Sequence, residues 1–308
     1  MLRARAVNFA FVGMVVAALY ASVPVCARAA QAAPDAAART GLYQTHFDRT
    51  SPLADYGEVL QRCLASAVYA AYVASHGAPS GQTIDPAKET WQVYVPAAYD
   101  GHRAYGVLVW VEPFDTLRFP SGWQRVLDEH RLIYVAAAQS GNDQDVYARR
   151  IPLALTGLAN VEARYRTDPN RIYIGGFSGG AGTASLIAAA YPQMFTGGIF
   201  VATSLNFGGQ HVPVPPAPRL ARMQANGRYV FLVGSDDPVN EVITTRAASS
   251  YRAYCILRVK NVTMWNKGHT NAGPAYLDYA LNYLDSNPVV SAARQANCER
   301  SLKTDSAR

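Results

Sequence analysis

From about residue 90 to residue 285, the chain alternates short apolar runs with longer segments in which apolar residues recur every three or four positions. The short runs are typical of strands buried on both faces, and the longer segments are typical of helices packed on a sheet. The predicted strands are TWQVYVP, YGVLVWVEP, RLIYVAAAQ, RIYIGGF, GGIFVATS, YVFLVGS and VTMWNKG. The predicted helices are 145–165, AGTASLIAAAY, 240–254 and AGPAYLDYALNYLD. This alternation predicts an α/β fold with a mostly parallel central sheet and helices on both faces.

The first thirty residues have a different pattern. Two arginines, Arg3 and Arg5, precede an uncharged and mostly apolar run that is followed by small residues. This is the layout of a secretory signal peptide, with Ala27-Arg28-Ala29 as the expected cleavage site. Residues 1–29 are therefore predicted to be removed during export to the periplasm or the cell exterior.

Two other interpretations of this segment compete with a signal peptide. A retained membrane anchor needs about 20 apolar residues, whereas this run is shorter and contains Ser22 and Pro24. A lipid anchor on Cys26 needs a small residue before the cysteine, and Val25 stands there. Both features favour the signal peptide, and no membrane span is predicted in the mature chain.

Residues 30–85 are predicted to form a flexible lead-in and an N-terminal helical extension. The segment 30–40 is rich in alanine and contains Pro34, which is typical of a flexible terminus. Residues 55–75 have apolar positions at helical spacing and no proline, which predicts one helix that ends at GAPSG. Residues 86–308 then form the α/β domain.

Composition and charge narrow the possible functions. Half of the residues are hydrophobic and 16% are charged, as expected for a globular protein with a sizeable core. Residues 1–29 contain three arginines and no acidic residue, so their removal lowers the formal charge from +6 to +3. Because the mature chain has no run of basic residues, nucleic acid is not an expected partner. The sequence does not determine the oligomeric state.

Three cysteines, Cys63, Cys255 and Cys298, remain after removal of the signal peptide. In an oxidising compartment they allow one disulfide and one free thiol, and the sequence does not say which pair is bridged. No C-x-x-C or H-x-x-x-H spacing occurs, so no metal site is expected.

The segment Gly176-Phe177-Ser178-Gly179-Gly180 matches the pattern G-x-S-x-G. The pattern alone is weak, but here it joins a predicted apolar strand, RIYIGG, to a predicted helix, AGTASLIAAAY. On such a tight turn the backbone is strained and the serine side chain projects above the sheet. Ser178 is the predicted nucleophile.

A serine hydroxyl needs a general base, and the base needs a carboxylate that orients it. In hydrolases with this turn the acid and then the histidine follow later strands. His269 follows the last predicted strand, and Asp236 and Asp237 follow the preceding one. Asp237 is the preferred acid, because it precedes Pro-Val as the acid does in related loops. Asp236 is then expected to cap the following helix.

The oxyanion that forms during acyl transfer needs two hydrogen-bond donors. The main-chain N–H of Gly179, at the start of a helix, is the first candidate. The second is expected just after YGVLVWV, where many hydrolases carry His-Gly-x. Glu112 occupies the x position, Pro113 has no N–H, and Phe114 is the alternative. The Glu112 carboxylate itself is expected to be structural.

The segment TDPNRIYIGGFSGGAGTASLIAAAYPQMFTGGIFVA resembles the nucleophile region of α/β-hydrolase esterases of the poly(3-hydroxybutyrate) depolymerase and feruloyl or acetylxylan esterase group. QVYVPAAYD followed by YGVLVWV also resembles the first strands of these esterases, and the resemblance covers residues 91–284. It implies an α/β-hydrolase fold and an exported serine esterase without a metal or organic cofactor.

Three functions are compatible with these observations. The preferred one is an exported esterase that acts on polyesters or on acyl and feruloyl esters of the plant cell wall. A serine peptidase with the same Ser178, Asp237 and His269 is the second, because one fold hosts both chemistries. A catalytically silent binding protein is the third, since the His-Gly pair of the oxyanion loop is missing.

Overall fold

The computed structural model describes residues 39–306, which are built around an eight-stranded sheet. The strands are β1 (Gly41–Thr45), β2 (Trp91–Val95), β3 (Tyr105–Val111), β4 (Leu132–Ala137), β5 (Thr167–Phe177), β6 (Gly197–Val201), β7 (Arg228–Gly234) and β8 (Val259–Met264). Their order across the sheet is β1-β2-β4-β3-β5-β6-β7-β8. Strands β3 to β8 are parallel, and β1 and β2 are antiparallel to their neighbours. The predicted α/β fold is confirmed.

Helices connect most of these strands. They are α1 (Tyr56–Cys63), α2 (Ser66–His76), α3 (Trp123–His130), α4 (Ile151–Arg164), α5 (Gly179–Ala190), α6 (Ala217–Asn226), α7 (Pro238–Ala253), α8 (Pro274–Asp285) and α9 (Ala292–Ser306). One turn of π-helix, Val146–Arg150, leads directly into α4. The sequence pattern predicted α4, α5, α7 and α8, whereas α3, α6 and α9 were not predicted.

Strand β3 shows why the apolar runs are almost continuous. Val107, Val109 and Val111 pack in one core together with α4, α5 and α7. Leu108 and Trp110 face the other side of the sheet and pack with α3 and α8. Because both faces are covered, every position of the strand is apolar or small, and each large apolar side chain contributes about 1.5–3 kcal/mol by burial.

The N-terminal extension differs from its prediction in one respect: the single helix expected over residues 55–75 is two helices. The chain is extended at Leu64 and Ala65, with ψ angles of 150° and 143°, which separates α1 from α2. Helix α1 buries Val59, Leu60 and Cys63, whereas α2 buries no residue. Because α2 has no buried face, no core packing holds it in line with α1.

Residues 41–45 correct the predicted boundary of the extension. They form β1, which pairs with β2 from Gly41 opposite Val95 to Thr45 opposite Trp91. In this strand only Tyr43 is buried, so the hydrophobic pattern of GLYQT does not indicate a strand. The α/β sheet therefore begins within the segment that was predicted to precede it.

The structure also settles the pairing of the cysteines. Cys255 and Cys298 form a disulfide with a Cα–Cα distance of 5.7 Å, which ties α9 to the end of α7. Cys63 is a free and buried thiol, and burial raises its pKa to about 12. The disulfide closes a loop between two residues that are 43 positions apart, and Cys63 lies far from both of them in sequence.

The predicted signal peptide and its alternatives fall on residues 1–29, outside the described residues. Across residues 39–306, every helix falls short of the length or the apolar character required to cross a membrane.

Candidate active site

The turn between β5 and α5 carries Ser178. Strand β5 ends at Phe177, α5 begins at Gly179, and Ser178 between them has φ 52° and ψ −129°. A non-glycine residue in this region of the backbone is strained. The surrounding main chain stabilises this strained conformation, because Ser178 N–H donates to the main-chain oxygen of Val201. The turn is also so tight that a Cβ on Gly176 would lie 2.5 Å from the Gly180 main chain. The strand–turn–helix context expected for Ser178 is present.

Ser178, His269 and Asp237 form one hydrogen-bonded chain. His269 Nε2 lies 2.8 Å from Ser178 Oγ. On the other side of the ring, His269 Nδ1 lies 2.7 Å from Asp237 Oδ2. The His269 side chain is 42% exposed, whereas the Asp237 side chain is only 10% exposed. The structure thus brings together the three side chains that the sequence analysis selected.

The Asp237 carboxylate is fixed at the start of α7. Asn240 Nδ2 donates to both of its oxygens, at 2.8 and 3.0 Å, in addition to the contact with His269. Burial raises the pKa of this carboxyl, but the hydrogen bonds from Asn240 and His269 outweigh burial and hold the pKa below its usual value. Asp237 is therefore ionised at neutral pH, as an acceptor for a histidine Nδ1–H must be.

Asp236 has a different role from the one expected. Its carboxylate accepts a hydrogen bond from the neighbouring Ser235 hydroxyl at 3.0 Å and does not cap α7. The residue at the N-cap position is Asp237 itself, and its side chain is directed to His269. The expected capping role for Asp236 is wrong, because the helix begins one residue later than that role requires.

The loop after β8 brings His269 to the serine. Asp236 N–H donates to the main-chain oxygen of Lys267 at 2.9 Å, so the loops after β7 and β8 are held together. This close approach requires a glycine at the end of β7, because a Cβ on Gly234 would collide with the oxygens of Lys267 and Gly268. The position of the His269 imidazole is therefore set by the two loops that follow the neighbouring strands β7 and β8.

The two residues expected to bind the oxyanion, Gly179 and Glu112, lie at the N-terminal end of α5. Gly179 is the first residue of α5, and neither its N–H nor that of Glu112 donates a hydrogen bond within residues 39–306. The main chain at Val111 and Glu112 runs directly against Gly180, where a Cβ would collide with it. The loop after β3 therefore reaches the N-terminal end of α5.

The Glu112 side chain is buried, in keeping with the structural role expected for its carboxyl. Burial raises the pKa of this carboxyl to about 7, although the positive charge of Arg118 acts in the opposite direction. Its main-chain oxygen accepts a hydrogen bond from Arg150 Nη2 at 3.1 Å. Arg150 thus binds the main chain of the loop that follows β3.

An open cleft of about 470 Å³ lies beside Ser178. A volume of this size suits a small-molecule or chain-end substrate. The cleft is lined by Val146, Arg150, Ser178, Gly179, Gly182, Thr183, Leu186, Thr203, Leu205, His211 and Asn240. Its walls are mostly apolar, with a few polar side chains close to the nucleophile.

Sequence reasoning missed two polar residues of this site, Asn240 and Arg150. Asn240 follows Asp237 by three positions, which places both in the first turn of α7. Such spacing is a usable signal, since residues three apart face each other on a helix. No comparable signal marked Arg150. Within residues 39–306, no group of three or more His, Cys, Asp or Glu side chains could hold a metal ion.

The region around the nucleophile matches a known family. Residues 139–241, about a third of the chain, match the model of the family described as esterase PHB depolymerase. The matched range includes Ser178 and Asp237 and ends before His269. The resemblance inferred from the sequence is confirmed by this match. No curated protein matches the chain by sequence.

Solved structures with a similar fold have distant sequences. S-formylglutathione hydrolase from Staphylococcus aureus has a TM-score of 0.52 and 11% identity, covering 80% of this chain and 99% of that one. A ferulic acid esterase has a TM-score of 0.50 and 12% identity, covering 81% of this chain and all of that one. At such identities the likeness shows the α/β-hydrolase fold.

Two of the similar structures are peptidases. Dipeptidyl peptidase 4 from Porphyromonas gingivalis is similar with a TM-score of 0.44 and 18% identity over 65% of this chain. The chain spans 34% of the length of the peptidase structures that it matches.

Proposed function

We propose that this carboxylic ester hydrolase, which has the α/β-hydrolase fold and resembles the poly(3-hydroxybutyrate) depolymerase and feruloyl esterase group, cleaves its substrate through an acyl-enzyme on Ser178. The observation that carries the proposal is the continuous chain of hydrogen bonds from Ser178 Oγ through His269 to Asp237, at 2.8 and 2.7 Å. Each contact joins the atoms that general-base activation of a serine requires.

In the first half of the reaction, Ser178 Oγ attacks the ester carbonyl carbon while His269 Nε2 takes the hydroxyl proton. The carbonyl π bond breaks and its electron pair moves to the oxygen. When this tetrahedral intermediate collapses, the bond to the alkoxy oxygen breaks and the leaving group takes the proton from Nε2. An alcohol leaves and the acyl group stays on Ser178.

In the second half, a water molecule repeats the attack on the acyl carbon with His269 again as the base. The intermediate expels Ser178 Oγ, which regains its proton from Nε2, and the carboxylic acid leaves. Throughout, the ionised Asp237 holds the Nδ1–H and stabilises the imidazolium, and Asn240 keeps the carboxylate in place.

The developing oxyanion is bound in this proposal by the main-chain N–H groups of Gly179 and Glu112. Support comes from their position at the N-terminal end of α5, where the helix dipole favours negative charge, and from the absence of another acceptor for either N–H within residues 39–306. Loss of one such donor typically costs about 10²–10³ in kcat.

The substrate is proposed to be an ester of a polyester or of plant-cell-wall acyl or feruloyl groups, and the protein is proposed to act after export. The substrate class is supported by the match to esterase PHB depolymerase and by the likeness to a ferulic acid esterase. Export is supported by the signal-peptide pattern of residues 1–29 and by the disulfide between Cys255 and Cys298.

A panel of substrates tests the proposal. Mature protein is assayed with p-nitrophenyl acyl esters, methyl ferulate, hydroxybutyrate oligomers and peptide p-nitroanilides. We expect turnover of esters, no turnover of anilides, and at least about 10⁴-fold loss in S178A. The matched control is S249A, which removes a hydroxyl on the exposed face of α7 and should leave kcat/KM unchanged.

Hydrolysis of the anilides in place of the esters would favour a peptidase. Absence of turnover on the whole panel, with a folded protein, would favour a binding protein. Equal activity of S178A and the unaltered protein would refute the assignment of the nucleophile.

A further inference from the structure

Arg150 is a buried arginine that lines the cleft beside Ser178. It is the last residue of the π-helical turn before α4, and only 4% of its surface is exposed. Placing a guanidinium in such a position costs free energy unless its charge and its five N–H donors are satisfied. The hydrogen-bond and ion-pair partners of Arg150 therefore indicate whether its role is purely structural.

Within residues 39–306, Arg150 has few partners. Its Nη2 donates to the main-chain oxygen of Glu112 at 3.1 Å, whereas its Nε is buried and has no acceptor. In the described part of the chain, no carboxylate forms an ion pair with it. Burial lowers its pKa to about 10, although the charge of Asp115 acts in the opposite direction, so the guanidinium is charged at neutral pH.

A second buried arginine shows what a purely structural guanidinium does in this protein. Arg228 is 5% exposed, almost the same as Arg150. Its three nitrogens donate to the main-chain oxygens of Thr196, Leu284 and Asn170 and to the Thr196 hydroxyl. Arg228 therefore uses all three of its nitrogens to donate to protein oxygens, whereas Arg150 donates from one nitrogen next to an open cleft.

The neighbouring arginine in sequence gives the same contrast. Arg149 binds both carboxylate oxygens of Glu89, at 2.9 and 2.7 Å, and so has a complete partner outside the cleft. No Asp or Glu side chain is among the residues that line the cleft. The cleft beside Ser178 thus holds a desolvated positive charge without a negative one.

We propose that the Arg150 guanidinium binds a carboxylate of the substrate, so that the preferred esters carry a free carboxylate near the scissile bond. Half-esters of dicarboxylic acids and chain ends of hydroxyacid oligomers have this chemistry. The guanidinium has the planar donor geometry that a carboxylate matches, and desolvation strengthens the pairing. This inference rests on the proposed function, because it names the substrate of the same cleft.

The carboxylate can belong to the acyl part or to the alcohol part of the ester, and two pairs of substrates distinguish these sources. The acyl pair is mono-p-nitrophenyl adipate and its methyl ester. The alcohol pair is 4-acetoxybenzoate and methyl 4-acetoxybenzoate. Within a pair the molecules differ in one charge, and rates of spontaneous hydrolysis are subtracted.

With the unaltered protein, we expect kcat/KM at least about tenfold higher for the charged member of one pair, which identifies the side of the ester that Arg150 binds. A neutral member that is hydrolysed as well as or better than the charged one in both pairs would overturn the inference. This comparison needs no variant and is unaffected by folding defects.

Variants then assign the preference to Arg150. R150Q should lower kcat/KM for the charged member at least about tenfold more than for the neutral member, and R150K should keep part of the preference. R246Q is the matched control, because Arg246 is an exposed arginine beside the cleft and should keep it fully. If R150Q slows both members equally, Arg150 only supports the Glu112 loop and the inference is wrong.

A binding measurement separates this inference from the proposed function. S178A is titrated with monomethyl adipate and with dimethyl adipate in a calorimeter, which needs no turnover. We expect the monoanion to bind at least about tenfold more tightly, and S178A/R150Q to lose the difference. Turnover of neutral esters without any preference for the anion would overturn this inference alone, whereas a folded protein without any ester turnover would overturn the proposed function.

Discussion

Two histidines of this protein, His269 and His130, each contact an aspartate, but their surroundings give them different properties. His269 has Asp237 on Nδ1 and the hydroxyl of Ser178 on Nε2, and its side chain is 42% exposed. His130 has Asp285 on Nδ1 at 2.9 Å and Asp278 on Nε2 at 3.0 Å, and its side chain is 9% exposed. The ring of His269 lies between a carboxylate and a hydroxyl, whereas the ring of His130 lies between two carboxylates.

The second carboxylate changes what the imidazole can do. Burial lowers the pKa of His130, but hydrogen bonds and charge from Asp285 and Asp278 outweigh it and raise the pKa above the usual value. Asp285 also pairs with Arg171, and its pKa lies well below the usual range. The two carboxylates thus favour the protonated form of His130, which ties α3 to α8, whereas His269 contacts one carboxylate and the Ser178 hydroxyl. An Asp–His contact alone does not identify a general base.

The largest expected effect comes from removing His269. H269A should lower kcat for a neutral ester by at least about 10⁴-fold, because Ser178 loses its general base, while the free energy of unfolding changes by less than about 1 kcal/mol. H130A is the matched control and should show the opposite pattern, with lower stability and retained kcat. Steady-state kinetics and urea denaturation of both variants test this contrast. Equal losses of activity in H269A and H130A would contradict the different roles assigned to the two histidines.

D237N should have the next largest effect. The amide keeps the shape of the carboxylate but can turn an N–H towards the histidine, which would favour the wrong tautomer and lower kcat by about 10³–10⁴-fold. D236N is the control: the Asp236 carboxylate accepts a hydrogen bond from the Ser235 hydroxyl, and its replacement should leave kcat within about threefold. If D236N instead shows the larger loss in kcat, the acid has been assigned to the wrong residue.

D285N should act on stability and leave catalysis intact. The carboxylate of Asp285 accepts hydrogen bonds from His130, Arg171 and the hydroxyl of Tyr173. Removing one partner from such a partly buried network typically costs about 3 kcal/mol. Urea denaturation at pH 7 should show this loss while kcat for a neutral ester stays within about threefold. Unchanged stability would contradict the structural role of the cluster.

Glu112 extends the comparison to a carboxyl that has no histidine partner. Its pKa is raised to about 7, so the folded state holds its proton while the unfolded state releases it near pH 4.5. The stability that this carboxyl contributes is present at low pH and is lost as pH rises towards 7. Relative to the unaltered protein, E112Q should be more stable at pH 8 than at pH 5, by up to about 3 kcal/mol. An equal difference at both pH values would contradict the burial of an ionisable group there.

The smallest expected effect is the pH dependence of the His130 cluster. Because the pKa of His130 is raised in the folded state, its contribution to stability is complete below about pH 6.5 and is lost as pH rises through the raised pKa. H130N should therefore remove part of the decline in stability between pH 6.5 and pH 9. The measurement is the free energy of unfolding from urea titrations across this range, with H269N as the control that should keep the decline.

The parts of the fold that could be predicted from the sequence are those in which burial or backbone strain limits the residue types. Strands β2, β3, β4, β6 and β7 are buried at every position, so their residues had to be apolar almost without interruption. The turn at Ser178 was also predictable, because a strained residue between a strand and a helix needs small neighbours. The order of Asp237 and His269 followed from the strand ends that precede them.

What the sequence did not predict depends on contacts between distant segments. Strand β1 buries one side chain only and is stabilised by main-chain pairing with β2, which the hydrophobic pattern does not register. Arg149 and Arg150 are adjacent and chemically identical, yet one pairs with Glu89 and the other is buried in the cleft. The pairing of Cys255 with Cys298 likewise required the placement of α9 beside the end of α7.

The most direct test of the central claim, that Ser178 is activated by His269, is the site of covalent labelling by a fluorophosphonate. Peptide mapping of the labelled mature protein should place one adduct on Ser178, with no adduct in S178A, a strongly slowed adduct in H269A and normal labelling in H130A. An adduct on another residue of a correctly folded protein, or equal labelling rates in H269A and the unaltered protein, would contradict the claim.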